Sequence, residues 1–517
     1  MEKTRVLDDA CFFLFAYITM KKPKNNFLIG NRKMGTNLKK NIIYQLAYQL
    51  LLLILPFVTS PYISRVVGAD GLGIYSYSHA VACYFEIFAL LGIANYGNRL
   101  IAQSRDNPDE MNKHFSNLLA VHVFGSVLVF LSYVLYVCLG NDSFYAALQI
   151  PYVLCTVFDI SWFYFGIEQI KVTVIKNFVI KVLTVVLIFC LVKERNDLWK
   201  YCLIMAFASL ASTTSLWISI NKYVRFVKPT WKEMRVHIAP LIALFIPVIA
   251  LSIHSYMDKI MIGMLSDKAE LGYYENAEKV RAMAVSIINA FGVVMLPKMS
   301  NLFSNNKQND AFVYLEKSVE LIMCLAIAIS FGLAAISKTF AIAFWGRDFS
   351  DSGIIILGFS ITIPFTALAN ILRTQYLIPK SKDKEYTCSI LIGALVNLIC
   401  NYLLIPSYGA MGATIGTILS EFSVCIIQIM MVRKEVPVKK YIINILPFIP
   451  IGFIMYICLK RINNRISSNW TSIVVQVLLG GIIYSILAGF LLEYKKNPII
   501  SNTKKNIGKG GKKDGTL

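Results

Sequence analysis

Acidic side chains are scarce in this chain of 517 residues: 30 Asp and Glu stand against 51 Lys and Arg, a formal net charge of +21. The positive surplus is not gathered on a polar domain, as nucleic-acid binding would require; it is scattered in short clusters between apolar stretches. Long polar connections are missing too. No segment between apolar stretches exceeds about 20 residues, too little for the extracytoplasmic catalytic loop of a membrane polymerase or ligase. No general acid/base pair and no nucleophile beside a positioned base is visible, so the chain reads as a non-enzyme. The 11 cysteines contain no CxxC pair and sit mostly inside apolar runs, which makes them small buried hydrophobes. The five histidines, His79, His114, His122, His237 and His254, have no ligand spacing. No metal and no cofactor is therefore expected. The glycine-rich run Gly68-Ala69-Asp70-Gly71-Leu72-Gly73 has no strand before it and no Lys-Ser/Thr within it, so it reads as a tight extracytoplasmic turn and not as a phosphate loop.

What is present in excess is apolar sequence. A hydrophobic fraction of 56% and a mean hydropathy of +0.59 lie outside the range of soluble domains. About fourteen apolar stretches of roughly 20 residues, from 42–66 to 470–492, are each long enough to cross a hydrocarbon core of about 30 Å. The expected fold class is all-α, a polytopic membrane protein. The alternate connections that carry basic clusters (Arg99, Arg105 and Lys113; Lys222 to Arg235; Lys380, Lys382 and Lys384; Arg433 to Lys440; the tail from Lys495) outweigh the others by about two to one, which places both termini in the cytoplasm. Residues 1–33 hold an apolar run too short to span, followed by Lys21, Lys22 and Lys24. An upstream extension or a misassigned start codon is the preferred reading, with an interfacial helix as the alternative.

Ionisable residues inside apolar stretches are the candidate functional positions, because each costs about 2.5 to 3.5 kcal/mol at membrane depth and faces protein or a watery cavity. The stretch from Tyr152 to Val192 carries Asp159 in its first arm, the turn Gly166-Ile167-Glu168-Gln169, and Lys171, Lys176 and Lys181 in its second. Folded about that turn, Asp159 and Lys176 fall at similar depth, about 12 Å in, either as an intramembrane ion pair or facing a substrate. Lys181 lies deeper than any obvious partner. Glu86 sits near the middle of the second span and Glu421 near mid-membrane in the twelfth; with Asp159 they are acids able to carry a coupling proton, and ion-pair roles explain them equally well. Around the seventh and eighth spans, Asp258, Lys259, Glu275, Glu278, Lys279 and Arg281 form a dense charge cluster. Its alternatives are a solvated salt-bridge network and an inward-facing cationic path to which Arg373 contributes. The seventh span also echoes the first: Pro56, Pro61, Arg65 and Gly71-Leu72-Gly73-Ile74-Tyr75 are matched by Pro247, Lys259 and Leu271-Gly272-Tyr273-Tyr274, as a transporter of two similar halves would show.

The run Asp159-Ile160-Ser161-Trp162-Phe163-Tyr164-Phe165-Gly166-Ile167-Glu168-Gln169 resembles the fourth-to-fifth helix turn of Wzx-type O-antigen and polysaccharide repeat-unit flippases. The region from Gln375 to Glu421 and the turn from Arg65 to Tyr77 are similar to the wider MATE-like (MOP) flippase superfamily. The resemblance covers Met34 to about Lys496. It implies two six-helix lobes, residues 34–225 and 226–434, around a cavity that opens alternately to either side, two additional helices in 435–494 and a basic cytoplasmic tail, 495–517. It also implies a substrate, an oligosaccharide on undecaprenyl pyrophosphate, and a place in the bacterial cytoplasmic membrane. Membrane lipids are the expected surroundings, with polysaccharide polymerase and chain-length machinery as protein partners and no nucleic acid. A pyrophosphate suits Arg and Lys, and the residues expected to bind substrate are Arg65, Asp159, Lys176, Lys181, Lys259, Lys279, Arg281 and Arg373, with Trp162 and other aromatic rings offering faces to sugars. The competing transporter is a cation-coupled exporter of the same superfamily. Such exporters carry an acid in the first helix, whereas Ile42 to Ser64 has none. A peptidoglycan-precursor flippase is the nearest rival within the class.

Overall fold

The computed structural model describes residues 34–140, 143–463 and 469–494. The expectations for residues 1–33 and for the basic tail 495–517 lie outside the described residues. Every long element is a helix, and no strand occurs among the described residues. Hydrocarbon enforces this, because each peptide N–H and C=O must be satisfied within the chain and a helix does so segment by segment. In order, the helices are α1 (Met34–Leu90), α2 (Ile93–Ser104), α3 (Pro108–Leu139), α4 (Ser143–Ala147), α5 (Ile150–Leu154), α6 (Ser161–Gly166), α7 (Ile170–Leu191) and α8 (Leu198–Trp217). They continue with α9 (Trp231–Leu265), α10 (Lys268–Ser304), α11 (Gln308–Trp345), α12 (Ser352–Leu372), α13 (Asp383–Val432), α14 (Val438–Ile445), α15 (Phe448–Asn463) and α16 (Trp470–Tyr494).

Eleven helical segments among the described residues are long and apolar enough to cross a membrane. Two of them, Leu55–Ser104 and Asp383–Val432, are 50 residues each; unbroken, 50 residues of helix would be about 75 Å long, more than twice a hydrocarbon core of about 30 Å. Both are interrupted at a glycine in the left-handed region, Gly68 at φ 72° and Gly409 at φ 53°, a conformation that costs an L-residue with a Cβ about 1–2 kcal/mol. Other ends are set locally. Asn107 accepts from the Glu110 N–H at 3.4 Å, Pro108 takes the first turn, where no N–H is needed, and Asp109 and Glu110 complement the helix dipole. At the second half of α13 the cap comes from elsewhere in the fold: the Glu270 carboxylate accepts from the Ala410 N–H at 2.8 Å, directly after Gly409.

The arm from Tyr152 to Gly166 is not the continuous helix that the depth argument requires. It runs as α5, a 3₁₀ turn (Cys155–Phe158), an extended residue at Asp159 (φ −76°, ψ 109°) and then the short α6. Asp159 makes the restart, its carboxylate accepting from the Ser161 N–H at 2.8 Å while its carbonyl accepts from the Trp162 indole at 3.2 Å. Trp162, Phe163 and Tyr164 are buried and pack among Phe115, Ile101 and Leu118. Glycine is required where this cluster meets α2: a Cβ on Gly97 would stand 2.6 Å from the Trp162 ring, and one on Gly166 2.7 Å from Ile101.

By its internal contacts the chain divides into two units, Met1–Met283 with Ile390–Ser420, and Ala284–Ser389 with Glu421–Leu517. In the first unit the two segments that echo each other in sequence, expected as turns but helical at Gly73 and Gly272, are packed together. A Cβ on Gly73 would run into the Lys268 carbonyl, and one on Gly272 into the Ala69 carbonyl. The glycine of each Leu-Gly pair is what lets the other segment approach. Lys268 completes the contact, its ammonium 3.5 Å from the Tyr77 ring centroid and donating to the Gly263 carbonyl at 2.7 Å. The second unit is built on one contiguous apolar core, including Ile322, Ile363, Leu372, Tyr376, Tyr441, Phe448 and Met455.

Candidate functional site

The first unit holds a cavity of about 150 Å³. Leu55 to Ser64, Leu72, Tyr75 and His79 of α1, Tyr152 of α5, Lys181 to Ile188 of α7, Tyr201 to Ser209 of α8, and Glu275 and Lys279 of α10 contribute to its wall. Beside it lies a buried ionic cluster. Lys259 reaches Glu275 at 2.8 Å and Glu278 at 2.7 Å, and Lys279, one helical turn after Glu275, reaches it at 3.4 Å. Lys259 and Glu275 are 3% and 4% exposed, so the solvated-network alternative is excluded for both. The Glu275 carboxylate also accepts from Ser76 at 2.8 Å, and Asn276 bridges Ser60 (3.2 Å) and Ser64 (2.8 Å). Two ammonium groups thus balance two carboxylates within one hydrogen-bonded set, the condition under which charge is tolerated away from water.

A second buried carboxylate, Asp258, is held by uncharged partners: Tyr274 donates at 2.5 Å, Asn401 at 2.6 Å and Thr417 at 3.1 Å. It joins α9, α10 and α13 within the first unit.

Of the positions singled out in the sequence, Lys181 and Lys279 line the cavity and Lys259 stands behind it on the shared carboxylate. Arg281 lies half-buried farther along α10, and Arg65 is exposed. Lys176 does not meet Asp159. Its ammonium donates to the Ser215 carbonyl at 2.5 Å and to Ser219 at 3.0 Å, because the break at Asp159 takes the carboxylate out of the helical register that would have brought them level. Glu86 is buried and accepts from Tyr152. In the second unit, Arg373 opens a π-helical turn (Arg373–Leu377) and donates to Tyr386 at 3.1 Å, and Glu421 is buried. Trp162, at 1% exposure, is sealed in the packing and has no face for a sugar.

Sequence reasoning passed over the aromatic wall of the cavity. His79 stacks on Tyr75 (centroids 5.3 Å, 11°), Tyr201 meets Tyr75 edge-on (4.7 Å, 62°) and Tyr152 meets His79 edge-on (4.5 Å, 69°). The signal was there: Tyr75, His79, Cys83 and Glu86 recur at helical spacing in an otherwise apolar helix and mark one polar stripe.

Two family models match this chain, each over more than half of its length: "Polysaccharide biosynthesis protein" over residues 38–303 and "Lipid II flippase MurJ" over residues 183–477. The chain belongs to the polysaccharide biosynthesis protein family. The resemblance read from the sequence, to polysaccharide repeat-unit flippases, agrees with this family. It is 23% identical over 409 residues to a "Putative O-antigen transporter" of Shigella dysenteriae, covering 77% of this chain and 100% of that one. A protein of the same description from Escherichia coli (strain K12) is 22% identical, with 78% and 99% covered. The "Capsular polysaccharide biosynthesis protein CapF" of Staphylococcus aureus is 23% identical, with 74% and 96% covered. Among solved structures, the lipid II flippase MurJ in an inward closed conformation superposes with a TM-score of 0.69 at 14% identity, over 88% of this chain and 100% of that one. An inward-facing multidrug resistance MATE transporter superposes at 0.54 and 13% identity, over 75% and 99%. These likenesses establish the fold, an all-α polytopic membrane bundle of the MurJ and MATE type.

Proposed function

We propose that this chain moves lipid-linked polysaccharide repeat units across the bacterial cytoplasmic membrane for the assembly of a surface polymer, acting as a transporter without catalytic chemistry. The observation that carries the reading is the match to O-antigen transporters along essentially their whole length, in a chain whose first unit encloses a cavity walled by lysines and aromatic rings. The substrate is an oligosaccharide on undecaprenyl pyrophosphate. Lys181 and Lys279 meet its anionic portion from within the first unit, and Lys259 fixes Glu275 so that this carboxylate does not repel the anion. Arg281 and Arg373 extend the cationic path, and transport proceeds by alternating access between lobes 34–225 and 226–434. Fourteen spans are supported by the breaks at Gly68 and Gly409 and by the 35-residue helix α9, with both termini cytoplasmic. The polymerase and chain-length machinery receive the product.

Deleting the gene and complementing it with wild type or Lys181→Ala, at checked expression, tests the proposal. Loss of surface polymer with accumulation of inward-facing lipid-linked units, restored by wild type and not by Lys181→Ala, is the expected result. The match to the lipid II flippase model over 183–477 favours one second reading, a peptidoglycan precursor as cargo; the glycan on the accumulated lipid decides between them. Unchanged surface glycan with increased sensitivity to cationic drugs would replace both with an exporter.

A further inference from the structure

The connection from α8 to α9 displays cations that no acid around it balances. After a 3₁₀ turn (Ile220–Lys222), residues 224–230 form no regular element, yet they are held in place. Asn112 accepts from the Arg225 N–H at 2.9 Å, Ser116 from the Val227 N–H at 2.9 Å and Asn117 from the Thr230 N–H at 3.1 Å, so side chains in the first turns of α3 serve as rungs for the strip. Phe226 lies parallel to Trp217 (centroids 6.4 Å, 8°) and edge-on to Phe115 (5.8 Å, 64°). Glu233, the acid of this region, is taken by Lys113 at 2.5 Å and by the Asn117 amide at 2.8 Å.

Lys222, Arg225, Lys228, Lys232 and Arg235 are all exposed, and among the described residues none of the five makes an ion pair. Lys222 stands close enough to Lys176 for the two ammonium groups to repel, a repulsion that a bound anion relieves. Between the cations, Phe226 is 54% exposed, Trp231 69% and Val236 67%. The strip follows the apolar segment Arg195–Lys222 and rests on the start of Pro108–Leu139, level with the helix ends. Trp interleaved with Lys and Arg is the composition selected where apolar spans meet headgroups.

We propose that residues 222–236 dock the anionic phospholipid headgroups of the leaflet at this end of the spans, the five cations meeting phosphates and Trp231 and Val236 entering the layer just below them. By the orientation given above that leaflet is the cytoplasmic one, and this choice alone rests on the flippase reading. Charge complementarity selects the occupant. Along extended chain Arg225 and Lys228 are about 10 Å apart, so the cations form a row for several headgroups and not a point for one pyrophosphate. An acidic protein matches the charge as well, but a strip level with the helix ends has lipid against it first.

The test places full-length protein in nanodiscs of equal parts phosphatidylglycerol and phosphatidylcholine, and compares the quenching of tryptophan fluorescence when bromine is carried by the acyl chains of one lipid or of the other. Stronger quenching by brominated phosphatidylglycerol is expected in wild type, and Trp231→Phe, which removes the reporter on the strip, is expected to abolish the difference. Lys228→Gln and Lys232→Gln are each expected to lower the preference for phosphatidylglycerol about fivefold, as about 1 kcal/mol per cation near the surface implies, and high salt to weaken it in wild type. Unchanged melting in nanodiscs of phosphatidylcholine alone is the control for folding. Equal quenching by the two lipids in wild type overturns the proposal. So does a preference that survives Trp231→Phe or both Gln substitutions, because it then belongs to another face. Equal quenching together with binding of soluble polyglutamate through Lys228 and Lys232 replaces lipid with an acidic protein partner. None of these readouts involves transport, so a failure of the flippase reading leaves them unaffected.

Discussion

The two units meet the same apolar surroundings in different ways. The first buries Glu86, Asp258, Lys259, Glu275 and Asn276 and ties them into hydrogen-bonded sets that join α1, α5, α9, α10 and α13. The second fills its interior with a continuous apolar cluster and, apart from Glu320 and Glu421, keeps its charges toward helix ends, as in Lys440 with Glu316 at 2.9 Å and Lys382 with Glu435. Packed apolar residues stabilise at no desolvation cost, whereas buried charge is at best neutral unless every partner is present. The buried ionic set of the first unit therefore marks where function, and not stability, set the residues.

The contrast can be broken first at Lys259. Lys259→Met leaves buried Glu275 with Lys279 as its remaining cation and strips partly buried Glu278 of its Lys259 partner; the expected loss is about 3–5 kcal/mol, read as a large fall in the melting temperature of the solubilised protein. The matched substitution Lys382→Met in the second unit removes the cation from a half-exposed Glu435 and is expected to cost no more than about 1 kcal/mol. Equal effects would erase the distinction between the units.

The next largest effect is steric. Gly272→Ala or Gly73→Ala puts a methyl against a backbone carbonyl that cannot rotate away, and about 1–3 kcal/mol is expected from the forced separation of the two segments. Gly481→Ala in α16, with nothing within 4 Å of the added methyl, should leave the melting temperature unchanged or slightly higher. A Gly272→Ala variant that melts and transports like wild type would mean that the segments need not touch.

The smallest effect sharpens the comparison at the other extreme. The contact with Lys382, and then the hydrogen bond from Tyr376 at 2.5 Å, hold the Glu435 carboxyl below the usual carboxylate range. A depressed folded-state value stabilises fully above the unfolded value of about 4.3 and is lost as pH falls through the folded one. Glu435→Gln should therefore lower stability slightly near neutrality and flatten the acid side of the stability profile below about pH 4. An unchanged acid slope would show that the pair is formed in the fold but contributes nothing.

Several features of the site were legible because they are local. A lysine in an apolar helix is visible in any window, and Lys181, Lys259 and Lys279 stand out for that reason; so does the i, i+4 relation of Glu275 to Lys279. Asp159 and Lys176 show the limit. Their equal depth assumed unbroken helices, and one extended residue at Asp159 removed it. Trp162 shows another: an aromatic run before a tight turn can face a ligand or a neighbouring helix, and only Gly97 and Gly166, which let α2 approach, decide for burial. His79 and Tyr152, which meet in the cavity wall, lie 73 residues apart in the chain, and no periodicity links them.

The sequence by itself determined that this chain is an all-α membrane bundle, since apolar length and the need to satisfy every peptide group leave a helical chain no alternative. It also marked the chain break at Gly68, because φ above zero is a local demand. Only the tertiary structure decided which charges share a carboxylate, that the two echoed segments close on each other, and that rings from α1, α5 and α8 meet in the wall of one cavity. Those outcomes depend on the rotation and approach of packed helices, to which a one-dimensional pattern is blind.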